Sequence, residues 1–466
     1  VRRFELFLLY GAAFAVEWPA VFGVRPRRGI VAATLLALFV LQLQQEGLRW
    51  QMIPLYGAVL GLAIGDILAA ERRLDWARRI SRGIFGLAGL GLTAVLPLVL
   101  PVPELPTPSG PEPVGTVAVE VVDPERSEVY GQNPAGPRRL MVQVWYPTEA
   151  RTEAEPVPWS EDWDIQAPAM AARLGLPGWF LSHTRFTESH SEPSAPPAPG
   201  TFPVVVYSHG WTGFRTIAVN QIEALASNGF MVLAIDHTYE AATIRFPDDE
   251  IVDYDPAALP DPLEVGDEAY HDAIETLLQV LADDLITVVD ALEEGESGPF
   301  GAISASADVT RLGVYGHTTG GGAAVSFCLQ DERCDAVLGL DPWVEPIPDR
   351  VIAASATRPA LYMRSDEWRG TENDAILRGI AERSTVVTYW VGVEGALQSD
   401  FELTPLLSPF AGRLGWTGPI PSGRVVPIVE RYLVGFFDVY LLGTGTAALD
   451  TASFSEVSVE VIHPDQ

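Results

Sequence analysis

Lysine is absent from this 466-residue chain, so all 30 of its basic residues are arginine. Against them stand 61 acidic residues, leaving a formal net charge of −31. So little cationic surface excludes a nucleic-acid binder, which must neutralise phosphates. Cysteine is scarcer still, with Cys328 and Cys334 the only two. That excludes a disulfide scaffold and a cysteine-rich zinc module. A disulfide between them and a pair of buried thiols both fit the spacing, because separation in sequence does not fix geometry. The 7 histidines form no cluster with metal-ligand spacing, so neither a metal nor another cofactor is expected.

What is present is divided unevenly. Residues 1–103 carry a net charge of +5 and residues 104–466 one of −36. Apolar stretches cover roughly residues 5–24, 29–43, 51–70 and 83–102, against the ~20 residues that span a bilayer. An all-α transmembrane domain of about four helices is therefore expected over 1–103, with the lipid bilayer as partner. Arginines cluster in the first connector (Arg25, Arg27, Arg28) and the third (Arg72, Arg73, Arg78, Arg79, Arg82). Positive charge favours the cytoplasmic side, which would put the acidic remainder on the extracytoplasmic face of the cell membrane. Residues 104–113 fall in the proline-rich run PVPELPTPSGPEP and read as an extended linker. Residues 114–466 form the third division.

In that division short β-branched runs alternate with amphipathic stretches. Val117–Val122 and Leu140–Tyr146 read as a strand pair. Val204–Tyr207, Met231–Ile235, Leu312–Tyr315, Ala336–Leu340, Ala360–Met363 and Val386–Val391 follow as continuous apolar runs, the pattern of strands buried on both faces. Between them, Asn220–Asn228 stops at Gly229, and His271–Glu294 carries apolar residues at a 3.6-residue period. The fold class is α/β, with a mostly parallel eight-stranded sheet flanked by helices. The apolar run Val425–Leu442 holds Pro427, Glu430, Arg431 and Asp438 and reads as a packed terminal helix.

The sharpest chemical signal is Gly316-His317-Thr318-Thr319-Gly320, between a strand ending at Tyr315 and a helix. This is the frame of a nucleophile elbow, G-x-S-x-G, with Thr318 in the serine position. Ser208-His209-Gly210-Trp211 ends an earlier strand, where such folds take one oxyanion-hole amide. The donors would be the backbone N–H groups of Trp211 and Thr319. Asp341 ends the next strand and is placed to be the acid of a nucleophile–acid–base order.

The segments VQVWYP (142–147), VVVYSHGWTGFRT (204–216), LAIDH (233–237), LGVYGHTTGGG (312–322) and LGLDPW (338–343) together resemble the platelet-activating factor acetylhydrolases. The resemblance extends over nearly all of residues 114–440. It implies an α/β-hydrolase fold and an esterase that removes short or oxidised acyl chains from phospholipids. It also implies a serine in the elbow, an aspartate after the next strand, and a histidine in a G-x-x-H-x-x-F segment. Here Thr318 replaces the serine and Asp341 is retained. In Gly395-Ala396-Leu397-Gln398-Ser399-Asp400-Phe401 it is Gln398 that stands at the base position.

Two of three triad positions are thus changed. A hydroxyl attacks poorly near neutral pH without a base, and an amide has no titration to offer. The threonine methyl further restricts rotation at a crowded turn. His237, at a strand end, is the candidate replacement base. His209 and His317 are expected to brace the loops, and His183, His190, His271 and His463 to be solvated. The sequence therefore reads as a membrane-anchored pseudohydrolase that keeps a pocket for a phospholipid or acyl-ester ligand. The alternative is an active carboxylic ester hydrolase using Thr318 with an unconventional base.

Overall fold

Valine- and isoleucine-rich runs bounded by glycine, proline and aspartate favour extended chain, and the sheet is built from them. A computed structural model describes residues 2–22, 27, 29–68, 76–131, 136–149, 157–353, 356–444 and 449–463. By its contacts the chain divides into two compact units. One is residues 1–103 with Ser182–Phe186 and Leu407–Phe410; the other is the remainder.

The larger unit contains strands β1 (Val114–Ser127), β2 (Pro137–Pro147), β3 (Ser191–Pro193), β4 (Phe202–Ser208), β5 (Met231–Asp236), β6 (Thr243–Arg245), β7 (Ile251–Asp253), β8 (Ala307–His317), β9 (Cys334–Leu340), β10 (Ala360–Arg364), β11 (Thr388–Val393) and β12 (Val457–Ile462). One sheet runs in the order β12-β11-β10-β9-β8-β4-β5-β2-β1-β3, with β6 and β7 pairing apart. From β5 through β11 it is parallel, while β1–β2, β2–β5 and β11–β12 pair antiparallel. All eight expected strands are present, but the sheet has ten. The additions are edge strands: β3 has only three residues, and β12 lies near the chain end, where alternation of apolar and polar residues gives no continuous run.

The helices Val219–Ser227, Asp267–Glu293 and Ser422–Phe437 match the expected ones in place and type. Ile274, Leu277, Leu278, Leu281, Leu285 and Val288 of the long helix enter the core beside Val204, Val206, Leu233 and Val314 of the central strands. Cys328 and Cys334 form a disulfide. It ties the end of the helix Thr318–Gln330 to the start of β9. The proline-rich stretch expected as a linker packs on this unit. Gly110 N–H donates to Ser227 Oγ and Glu112 N–H to the Ser227 carbonyl, each at 3.0 Å.

The smaller unit contains the helices Arg3–Phe22, Ile30–Glu46, Ile53–Leu68 and Trp76–Val99, the third continuous with a short turn at Trp50–Met52. The expectation of about four spans is not met by length and composition. Among the described residues only Trp50–Leu68 is long and apolar enough to cross a membrane. Ile30–Glu46 and Ile84–Val99 are apolar but shorter, and the first helix carries Arg3, Glu5 and Glu17. Arg25, Arg28, Arg72 and Arg73, part of the argument for sidedness, lie outside the described residues.

Polar residues in these apolar segments have structural partners. Glu5 receives two bonds from the Arg49 guanidinium at 2.6 Å, with both side chains fully buried. Asp66 accepts the Gly29 and Ala32 N–H groups at 2.9 and 3.1 Å, so a carboxylate of the third helix caps the second. Replacing Asp66 with alanine removes that cap and its charge at the positive helix end. Thermal unfolding of the full chain should report a loss of about 1 kcal/mol; an unchanged midpoint would show the cap to be idle.

Candidate functional site

The site lies beyond the C-terminal ends of β4, β8 and β9, where a parallel sheet presents its loops. Thr318 follows β8 and opens the helix Thr318–Gln330, at φ +47°. A left-handed backbone is costly for a β-branched residue, and here it thrusts the side chain clear of the sheet. Close approach requires the flanking glycines. A Cβ on Gly316 would sit 2.3 Å from the Gly320 carbonyl oxygen, and one on Gly320 2.3 Å from the carbonyl oxygens of Ser208 and His209. The Thr318 methyl occupies the space beside Gly210, where an added Cβ would lie 2.1 Å from it. That contact directs Oγ1 the other way.

Oγ1 meets Gln398, whose Nε2 donates to it at 2.8 Å. Gln398 is held from both ends of its own peptide units. Its N–H donates to Glu367 Oε2 at 3.1 Å, and its carbonyl lies 3.0 Å from His317 Nε2. Asp400 closes the same loop by accepting the Leu397 and Gly418 N–H groups. The other nitrogen of His317, Nδ1, lies 3.1 Å from Glu402. Burial would raise the Glu402 carboxyl, but the charges of Arg173 and His317 hold it at about 2. His317 thus braces the loop, as expected, with neither nitrogen on Thr318.

Asp341 also has a left-handed backbone, at φ +44°. Its Oδ1 accepts the Ser365 N–H at 2.8 Å, whereas Oδ2 is buried without a partner. Burial pushes this carboxyl up to about 6, against the opposing bonds from Ser365 and the charge of His317.

His237 is not at the pocket rim. It is fully buried, with Nε2 2.8 Å from Ser208 Oγ and Nδ1 2.9 Å from Asp284 Oδ2. Ser208 and Asp284 are fully buried as well. The three residues reproduce the contact order of a serine triad in a place no substrate reaches. Burial alone would raise the Asp284 carboxyl; Arg138 and His237 hold it well below the usual carboxylate range. His209 lies against this group, its Nε2 accepting the His237 N–H at 3.3 Å, and burial and His237 push it down to about 3.

A cavity of about 430 Å³ opens over Thr318, with Thr319, Trp211 and Gln398 also on its wall. Leu259, Pro260, Pro262, Tyr270, Trp343 and Trp368 complete it. Among these the motifs pointed only to Trp343, through LGLDPW. The segment 255–270 is acidic and proline-rich with no recognisable pattern, so its part in the wall left no signal in the sequence. Thr319 lies in the first turn of its helix, where N–H groups have no intrahelical partner. In the turn after β4, Thr212 N–H is bonded to the Glu240 carbonyl and Gly213 N–H to the Gly210 carbonyl. Among the described residues there is no group of histidine, cysteine or carboxylate side chains that could hold a metal ion.

Comparison with known proteins agrees with this architecture. The family model for platelet-activating factor acetylhydrolase, isoform II, matches residues 104–254 and 286–429. A platelet-activating factor acetylhydrolase of Gallus gallus is 22% identical over 52% of this chain and 62% of its own length. One from Canis lupus familiaris is 27% identical over 37% of this chain and 42% of its own. The matches therefore span about half the length of these relatives. Among solved structures, a ferulic acid esterase from Streptomyces cinnamoneus superposes with a TM-score of 0.62 at 27% identity, covering 77% of this chain and 99% of that one. With that family model matched over more than half of its residues, the chain belongs to the platelet-activating factor acetylhydrolase family, isoform II.

Proposed function

We propose that this protein is a pseudohydrolase, which binds an acyl ester in the cavity over Thr318 and does not turn it over. The observation that carries this reading is the bond from Gln398 to Thr318 Oγ1. Whichever amide atom faces the hydroxyl, no group there takes up its proton, and without a base the alcohol is a poor nucleophile. His209, His237 and His317 each have both ring nitrogens engaged elsewhere. What survives is the binding half of an esterase: the amides of Trp211 and Thr319 would hold the ester carbonyl oxygen, beside apolar walls.

The full chain should therefore take no label from a fluorophosphonate, and should hydrolyse p-nitrophenyl acetate no faster than its Thr318→Ala variant. Labelling of Thr318, or a loss of activity in that variant, would establish an active threonine esterase instead.

Membrane anchoring is part of the proposal. Most of the large apolar side chains exposed among the described residues lie in the helical unit, Phe7, Tyr10, Phe14, Leu68, Phe85 and Leu92 each at 53% or more. So much exposed apolar surface is out of place in water. The disulfide and the acidic globule suit an extracytoplasmic location. The chain is expected to stay with membranes through an alkaline carbonate wash; release into the supernatant would remove this part of the reading.

A further inference from the structure

Four aromatic rings border the cavity, from Trp211, Tyr270, Trp343 and Trp368, and two prolines flatten the wall further. Leu259 is the one open-chain aliphatic side chain in it, and no charged side chain lines it. The rings come from separate loops, after β4, β9 and β10 and at the start of the helix Asp267–Glu293. Trp211 is braced edge-to-face by Tyr254, with ring centroids 5.9 Å apart. Thr319 and Trp211, whose backbone N–H groups are read above as the carbonyl donors, also line the cavity. Such a site offers flat, polarisable faces around a point that accepts a carbonyl oxygen.

Resting on the reading of this cavity as an ester-binding site, we infer that its ligand is an aryl carboxylic ester, with the planar ring between the tryptophans and the carbonyl oxygen on the two amides. Three ligand chemistries compete for an aromatic box, and the surroundings separate them. An extended alkyl chain gains from aliphatic walls that follow its bends, and here there is only Leu259. A quaternary ammonium gains from ring faces, but it would sit against the positive end of the helix Thr318–Gln330 with no carboxylate in the wall to offset that charge. A neutral aryl ester meets neither obstacle. Rings meet rings in offset or edge-to-face contact, and the polar carbonyl finds donors where the helix begins. A cavity of about 430 Å³ is also in the range of small-ligand sites.

Calorimetric titration of the full chain in lipid nanodiscs, with empty nanodiscs subtracted, tests this using ethyl cinnamate, ethyl octanoate and tetramethylammonium. Ethyl cinnamate should bind at least about tenfold more tightly than either of the others. Trp343→Ala and Trp368→Ala should each weaken it by about tenfold, the upper end of what one aromatic pair contributes. Trp343→Phe should recover part of that loss while Trp343→Leu, which restores apolar bulk without a ring, should not. Octanoate binding as tightly as cinnamate, tetramethylammonium binding more tightly, rescue by leucine, or no binding of cinnamate overturns the assignment. Release of cinnamic acid faster than from the Thr318→Ala variant supports the aryl ligand and overturns the pseudohydrolase reading, so the two can fail separately.

Discussion

Thr318→Ser/Gln398→His should convert the chain into an esterase, with hydrolysis of p-nitrophenyl acetate by the full-length double variant at least about 10³-fold above the natural chain. The scale follows from what a triad supplies. Removing its members costs about 10⁶-fold and leaves only ~10³–10⁴-fold catalysis over water. The backbone around residue 398 favours restoration. The peptide groups of residue 398 are pinned by Glu367 and His317, so a histidine there starts from a fixed backbone. On one side it would meet the elbow hydroxyl that Gln398 now contacts, and the buried, unpartnered Asp341 Oδ2 is the acceptor expected for its second nitrogen. The serine half matters because the Thr318 methyl is lodged against Gly210; removing it frees the hydroxyl to turn toward a substrate carbonyl. Each single variant should gain little, because nucleophile and base act as a unit and their effects do not add. A double variant that folds and is no faster than the natural chain would mean that the scaffold has drifted beyond two side chains.

The parts of this molecule that could be read from sequence are those set by neighbours along the chain. Continuous apolar runs such as Val204–Tyr207 and Met231–Ile235 named the buried strands, because a strand covered on both faces has no polar side to show. The glycines around Thr318 and the position of Gln398 pointed to the elbow and to the amide that meets its hydroxyl. The failures involve residues far apart in sequence. His237 stood at a strand end like a rim residue, yet its burial depends on Ser208 and Asp284, which lie 29 and 47 positions away. The orphaned oxygen of Asp341 is a property of what does not reach it, and no motif records that. The cysteine pair was undecidable for the same reason until the helix Thr318–Gln330 and β9 brought the two sulfurs together. The four apolar stretches did become helices, but Arg3, Glu5 and Glu17 count against a span in the first even though Arg49 neutralises Glu5 inside the bundle.

Asp341→Asn should flatten the acid side of the stability profile, whereas in a working esterase the same change would be read as loss of catalysis. The carboxyl ionises near 6 in the folded chain and near 3.8 in the unfolded one, chiefly because of burial. Between those values the native state holds a proton that the unfolded state has released, so stability falls as pH rises. This contribution is fully present below about pH 4 and is lost by about pH 7. A difference of about two pKa units corresponds to roughly 3 kcal/mol. Asparagine does not titrate, so denaturant unfolding at pH 4 and pH 7 should show the variant gaining about 2–3 kcal/mol relative to the natural chain between the two. A constant penalty for the unpartnered amide, about 1–3 kcal/mol, would shift both points and cancel from the comparison. Equal pH dependence in the two chains would mean that Asp341 has a partner in solution. In a Gln398→His background the sign should reverse: an imidazolium on Oδ2 favours the ionised carboxylate, so asparagine would then cost stability at pH 7. That reversal would tie the unpartnered Asp341 carboxyl to the side chain at position 398.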